Sequence, residues 1–69
     1  MLQLWRLVNK SGIPAHCFLT EREGRLGRFV RTGQAITLYE RCSSDDAAFH
    51  RADEIRDVLV EMGWSEPNH

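Results

Sequence analysis

Residues 28–42 read RFVRTGQAITLYERC, two runs of strand-forming residues that meet at Gly33-Gln34. A two-residue loop led by glycine suits a type II′ turn and sets an antiparallel register. Thr32 then opposes Ala35. In an unbroken ladder Arg31 opposes Ile36, Val30 opposes Thr37, Phe29 opposes Leu38 and Arg28 opposes Tyr39. Side chains alternate between faces, so Phe29, Ile36 and Leu38 share one side, while Arg28, Val30, Thr37, Tyr39 and Arg41 share the other. The first side is the more apolar and is the expected core.

Outward from this hairpin, Leu2–Val8 and Cys17–Arg22 read as two further strands. Their boundaries are the turn signals Asn9-Lys10-Ser11-Gly12 and Glu23-Gly24-Arg25-Leu26-Gly27. Pro14, which cannot donate to a ladder, belongs to the loop before the second strand or to its edge. Cys17 and Leu19 join the core, which leaves His16, Phe18, Thr20 and Arg22 on the opposite face. In the first strand Leu2, Leu4 and Val8 stand on one side and Trp5 and Leu7 on the other, so alternation alone does not orient it.

After the strands comes a helix of about residues 45–62. Ser43 or Ser44 caps it, Asp45 and Asp46 occupy the first turn where the helix dipole favours negative charge, and Gly63 takes the left-handed position past its end. Ala48, Ala52, Ile55, Leu59 and Met62 form an apolar stripe with Phe49 and Val58 beside it. Asp46, His50, Asp53, Asp57 and Glu61 lie diametrically opposite and face water. Trp64 folds back on Leu59. The expectation is an α+β fold, a small antiparallel sheet of three to four strands packed on one face by a single C-terminal amphipathic helix, ββββα or βββα. Residues 1–64 make one domain and 65–69 a flexible tail.

Length bounds the function. A 69-residue chain buries only about 60% of the surface its unfolded form exposes, which leaves no room for an enclosed active site. The expectation is therefore a protein that is not an enzyme and carries no cofactor. No C-x-x-C or H-x-x-x-H spacing joins His16, Cys17, Cys42 and His50 into a metal site, and Gly24-Arg25-Leu26-Gly27 lacks the spacing and following helix of a phosphate-binding loop. The segment Met1–Val8 lacks the pattern of a signal peptide, and no stretch reaches the roughly 20 apolar residues of a spanning helix, so the expected location is cytoplasmic and the two cysteines are expected to be free thiols.

The formal net charge of −1 hides an uneven distribution. Residues 1–42 carry Arg6, Lys10, Arg22, Arg25, Arg28, Arg31 and Arg41 against Glu21, Glu23 and Glu40. The remainder carries Arg51 and Arg56 against Asp45, Asp46, Asp53, Glu54, Asp57, Glu61 and Glu66. One helix covers one face of a small sheet, and no segment remains to cover the other. The uncovered face is the candidate interface, with Trp5, Phe18, Arg22, Arg28, Val30, Tyr39 and Arg41, and an exposed patch of that kind marks a binding surface. The first expectation is a small interaction module that uses this face for homodimerisation or for docking on a protein partner. The alternative is a nucleic-acid-binding domain in which Arg22, Arg25, Arg28, Arg31 and Arg41 meet phosphates while the aromatics stack on bases. In layout the chain resembles the sheet-reading DNA-binding domains of integrase arm-binding segments and plant ethylene-response factors, with no motif of theirs aligning residue for residue.

Overall fold

A computed structural model describes residues 1–67. Four strands, β1 (Leu2–Val8), β2 (Pro14–Arg22), β3 (Arg25–Thr32) and β4 (Ala35–Cys42), form one antiparallel sheet in sequential order, followed by helix α1 (Asp45–Glu61). This is the ββββα form of the expected α+β fold. Asn68 and His69, the end of the expected tail, lie outside the described residues.

Turn chemistry sets the strand lengths. Glu23 and Gly24 both have positive φ, 56° and 75°, so a two-residue loop joins β2 to β3 and Arg22 pairs with Arg25. Two adjacent residues of positive φ are the mark of a type I′ turn, whose twist matches the strands it joins. β3 therefore starts at Arg25 rather than Arg28. At the other hairpin only Gly33 has positive φ, at 62°, as the type II′ reading requires, and Thr32 pairs with Ala35 and Arg31 with Ile36. Between β1 and β2 the Asn9 side chain accepts hydrogen bonds from the amides of Ser11 and Ile13, each 2.9 Å.

Beyond Arg31 the β3–β4 register shifts by one. Val30 pairs with Leu38, Phe29 with Tyr39 and Arg28 with Glu40, so Thr37 is the inserted residue of a β-bulge. Its hydroxyl lies 3.1 Å from that of Thr32. A second shift separates the Gln3–Phe18 and Trp5–Cys17 pairs and inserts Leu4 into β1. That insertion orients the first strand, with Trp5 and Leu7 toward the helix.

The core lies between the helix and one sheet face: Trp5, Leu7, Ala15, Cys17, Val30 and Ala52 cluster there, with Leu4, Leu38, Ile55, Leu59 and Trp64 packed against them. Full burial of Leu7 contributes about 1.5–3 kcal/mol. The small Ala48 and Ala52 are the two buried helix positions and allow close approach to the sheet. Met62 does not complete the stripe and is 71% exposed. Burial raises the Cys17 thiol to about 11, the Arg28 cation only partly offsetting it, so Cys17 packs as a neutral side chain.

Both helix ends follow their sequence signals. The Ser44 hydroxyl accepts from the Ala47 amide at 3.1 Å. At the other end Gly63 adopts φ 101°, its amide donates to Val60 O and the Trp64 amide to Leu59 O, a Schellman motif that turns Trp64 back toward the core. Ser65, expected in the tail, instead bridges Val8 through reciprocal backbone hydrogen bonds of 2.8 and 2.9 Å. Glu66 forms an ion pair with Arg56.

Arg28 is 2% exposed and lies on the helix side of the sheet, where it pairs with Glu40 and donates to Cys42 Sγ at 3.6 Å. Arg51 approaches the same Glu40 carboxylate at 3.5 Å, while Arg28 Nε has no partner. Removing one member of a buried pair strands the other charge at a cost of roughly 3–5 kcal/mol, whereas an apolar replacement of the buried charge costs less. Glu40 is partly exposed, so Glu40→Gln is expected to destabilise by about 3 kcal/mol, the low end of that range, and Arg28→Met by clearly less. Urea denaturation of the two variants measures the order.

Candidate functional site

The register places four cross-strand rows on the face away from the helix. Gln3, Phe18, Phe29 and Tyr39 form one row, each paired with the next. Arg6, His16, Arg31 and Ile36 form the row on one side of it, and Thr20, Gly27 and Arg41 the row on the other, followed by the Arg22–Arg25 pair. Neighbouring strands are about 4.8 Å apart, so Phe18 and Phe29 pack ring to ring and Tyr39 follows in register on β4, a strip of aromatic positions across β2, β3 and β4. The Phe18 and Phe29 centroids are 5.1 Å apart, His16 stacks on Phe18 at 5.8 Å, and the Arg31 guanidinium carbon is 5.3 Å from the Phe18 centroid.

Gly27 shapes the outer end of the strip. A Cβ at this position would stand 2.5 Å from Tyr39 Oη and 2.9 Å from its ring carbon Cζ, so the tyrosine lies diagonally over the bare backbone. An open groove of about 510 Å³ on this face is lined by Phe29, Ile36 and Tyr39 together with Arg22, Arg25 and Arg41, and Glu23 from the turn lines it too.

The expected interface residues divide. Phe18, Arg22, Tyr39 and Arg41 share the open face, and so do Arg25 and Arg31 from the alternative set. Trp5, Val30 and Arg28 do not: they lie on the helix side and are buried. Phe29 and Ile36, expected in the core, face outward instead. The two-residue β2–β3 turn is the physical reason for Phe29, because pairing Arg22 with Arg25 sets it opposite outward Phe18; Ile36 follows through its pairing with Arg31, and the Thr37 bulge then returns Leu38 to the core. Trp5 is held by a hydrogen bond from its Nε1 to the Ala52 carbonyl at 2.9 Å. Arg6 is absent from the expected set, although its place between the core residues Trp5 and Leu7 is the signal for it.

Electrostatically the face is one-sided. Its strand positions carry Arg6, Arg22, Arg25, Arg31 and Arg41, and none carries a carboxylate; among the described residues none of these five is in an ion pair. The acids Asp46, Asp53, Asp57 and Glu61 are exposed on the helix, on the other side of the sheet. His16 and Cys17 point to opposite faces, and among the described residues no three His, Cys, Asp or Glu side chains converge. No helix of the described residues is long and apolar enough to cross a membrane. Comparison of the chain with known protein families, with curated proteins and with solved structures gives no match.

His16 is held below its ordinary 6.5 by burial first, and then by the Arg31 and Arg6 cations. The unfolded chain therefore takes up this proton before the folded one as pH falls. The stability that neutral His16 supports is complete above about pH 6.5 and is lost as pH drops below that value toward the folded pKa. Urea midpoints compared at about pH 7.5 and 5.5 are expected to fall more for the native chain than for His16→Gln.

Proposed function

We propose that the domain is a non-catalytic binding module whose open sheet face takes single-stranded nucleic acid. The observation that carries this reading is the Phe18–Phe29–Tyr39 row with arginines on both flanks and no carboxylate at the strand positions of the face. Aromatic side chains stack on any base, and cations beside them meet the backbone phosphates. A sheet of this kind suits a single strand, whose bases are free to splay, better than a duplex, whose bases are already stacked. The sequence pI of about 6.3 is below that of typical nucleic-acid binders. That average combines two separate surfaces, because the acids that lower it are on the helix.

Ile36, 61% exposed on the same face, favours a second reading, self-association through this surface. Stacking two copies face to face would, however, bring both sets of arginines into one interface with no strand-position carboxylate to offset them.

Binding of fluorescent single-stranded oligonucleotides, followed by anisotropy over a salt series, tests the first reading. Affinity is expected to fall steeply with salt, and Arg41→Ala to lower the logarithmic slope by about 0.7, the contribution of one phosphate contact. Tyr39 is 59% exposed, so Tyr39→Ala is expected to spare stability and to cost about 1–3 kcal/mol of binding. Absence of binding at low salt, together with a salt-independent dimer by light scattering that Ile36→Asp dissociates, would establish self-association instead.

A further inference from the structure

Arg6, His16 and Arg31 are consecutive partners across β1, β2 and β3 and project from the open face. Directly opposed side chains in an antiparallel sheet are about 5 Å apart at Cβ, and like charges so placed destabilise the pair. Here two permanent cations flank an imidazole with no carboxylate at any strand position of the face, although Arg6, on the edge strand, also lines a pocket with Asp53 and Glu66. Within the His16 ring, Nδ1 is buried without a hydrogen-bond partner, which leaves Nε2 as the nitrogen open to a ligand. The ring stacks on Phe18, the first aromatic of the adjoining row.

We propose that Arg6, His16 and Arg31 bind a phosphomonoester dianion, and, resting on the reading of the face given above, that this anion is the terminal phosphate of the single strand whose bases stack on Phe18, Phe29 and Tyr39. A terminal phosphate carries close to two negative charges at neutral pH, whereas each internal diester carries one. Two guanidiniums with an imidazole between them match the higher charge, and arginine forms paired hydrogen bonds to phosphate oxygens. The groups bearing on His16 are Arg6 from β1, Arg31 from β3 and Phe18 on its own strand; the helix lies on the far side of the sheet. A bound dianion cancels the repulsion from the two arginines, so His16 takes up a proton and donates through Nε2. Binding at this end of the row is therefore linked to proton uptake and strengthens on acidification through the range in which His16 titrates.

Two measurements on the full chain separate this inference from the broader reading. In the first, the His16 ring resonances are titrated with pH in inorganic phosphate and in chloride of equal ionic strength. Phosphate is expected to raise the His16 pKa and to lose its effect in Arg6→Gln and Arg31→Gln, both substitutions of exposed residues. In the second, short oligonucleotides bearing a 5′-phosphate, a 3′-phosphate or hydroxyl ends are compared. One phosphorylated end is expected to bind about tenfold more tightly, with the advantage abolished by Arg31→Gln. A His16 titration identical in phosphate and chloride overturns the inference, and binding of all three oligonucleotides with equal affinity does so while leaving the nucleic-acid reading intact. A phosphate effect on His16 without binding of any oligonucleotide keeps the anion site and removes the strand.

Discussion

The Trp5 indole N–H ends on the Ala52 carbonyl, 2.9 Å away, in the middle of the helix. This contact fixes which way the whole sheet faces. Trp5 is the largest side chain of the core cluster, and its polar edge is satisfied only because the alanines at 48 and 52 let the helix backbone come near β1. Once Trp5 and Leu7 point to the helix, Arg6 points away. The pairing with β2 then places Cys17 and Ala15 inside and His16 and Phe18 outside, and β3 follows with Val30 inside and Phe29 outside.

The same alternation carries Arg28 into the interior. A guanidinium almost never lies fully buried without a counter-charge, and Glu40, its direct cross-strand partner, supplies one, with Cys42 Sγ accepting a second, weaker bond. This partnership requires the one-residue insertion at Thr37. Without it, Arg28 would oppose Tyr39 and Glu40 would point to the open face, placing a carboxylate among the arginines. The bulge thus does two things: it pairs the buried cation and it keeps the outer face free of acids.

Much of the architecture was legible from local chemistry. β1 and β4 have the bounds their residues suggest, Ser44 and Gly63 end the helix through capping geometry that depends on a few adjacent residues, and Gly33 sets the hairpin loop. The face assignment was not legible in the same way, because period-two alternation propagates any insertion along the rest of the strand. Thr37 and Leu4 have ordinary strand propensities and give no local sign of a bulge. Phe29 therefore read as core and Arg28 as surface on hydrophobicity alone, although the partner that makes Arg28 tolerable inside stands twelve residues away. The outer face was still partly recovered: Phe18, Arg22, Tyr39 and Arg41 belong to it, because β2 and the distal half of β4 are oriented by residues whose alternation is not in doubt. Trp5 was ambiguous until Leu4 broke the first strand.

Arginines on one side of the sheet and carboxylates on the outer side of the helix give a body of 37 × 22 × 21 Å an electric dipole across its thickness, with almost no net monopole. Such a particle feels little attraction to a polyanion from afar, since the formal charge is −1 and the field decays over about 8–10 Å at physiological salt. Within that range it experiences a torque. A negative polymer would turn the sheet toward itself and the helix away, so approach and orientation would occur together. With the sheet engaged as proposed, the outward helix would present negative charge to any second polyanion and would disfavour bridging between two chains.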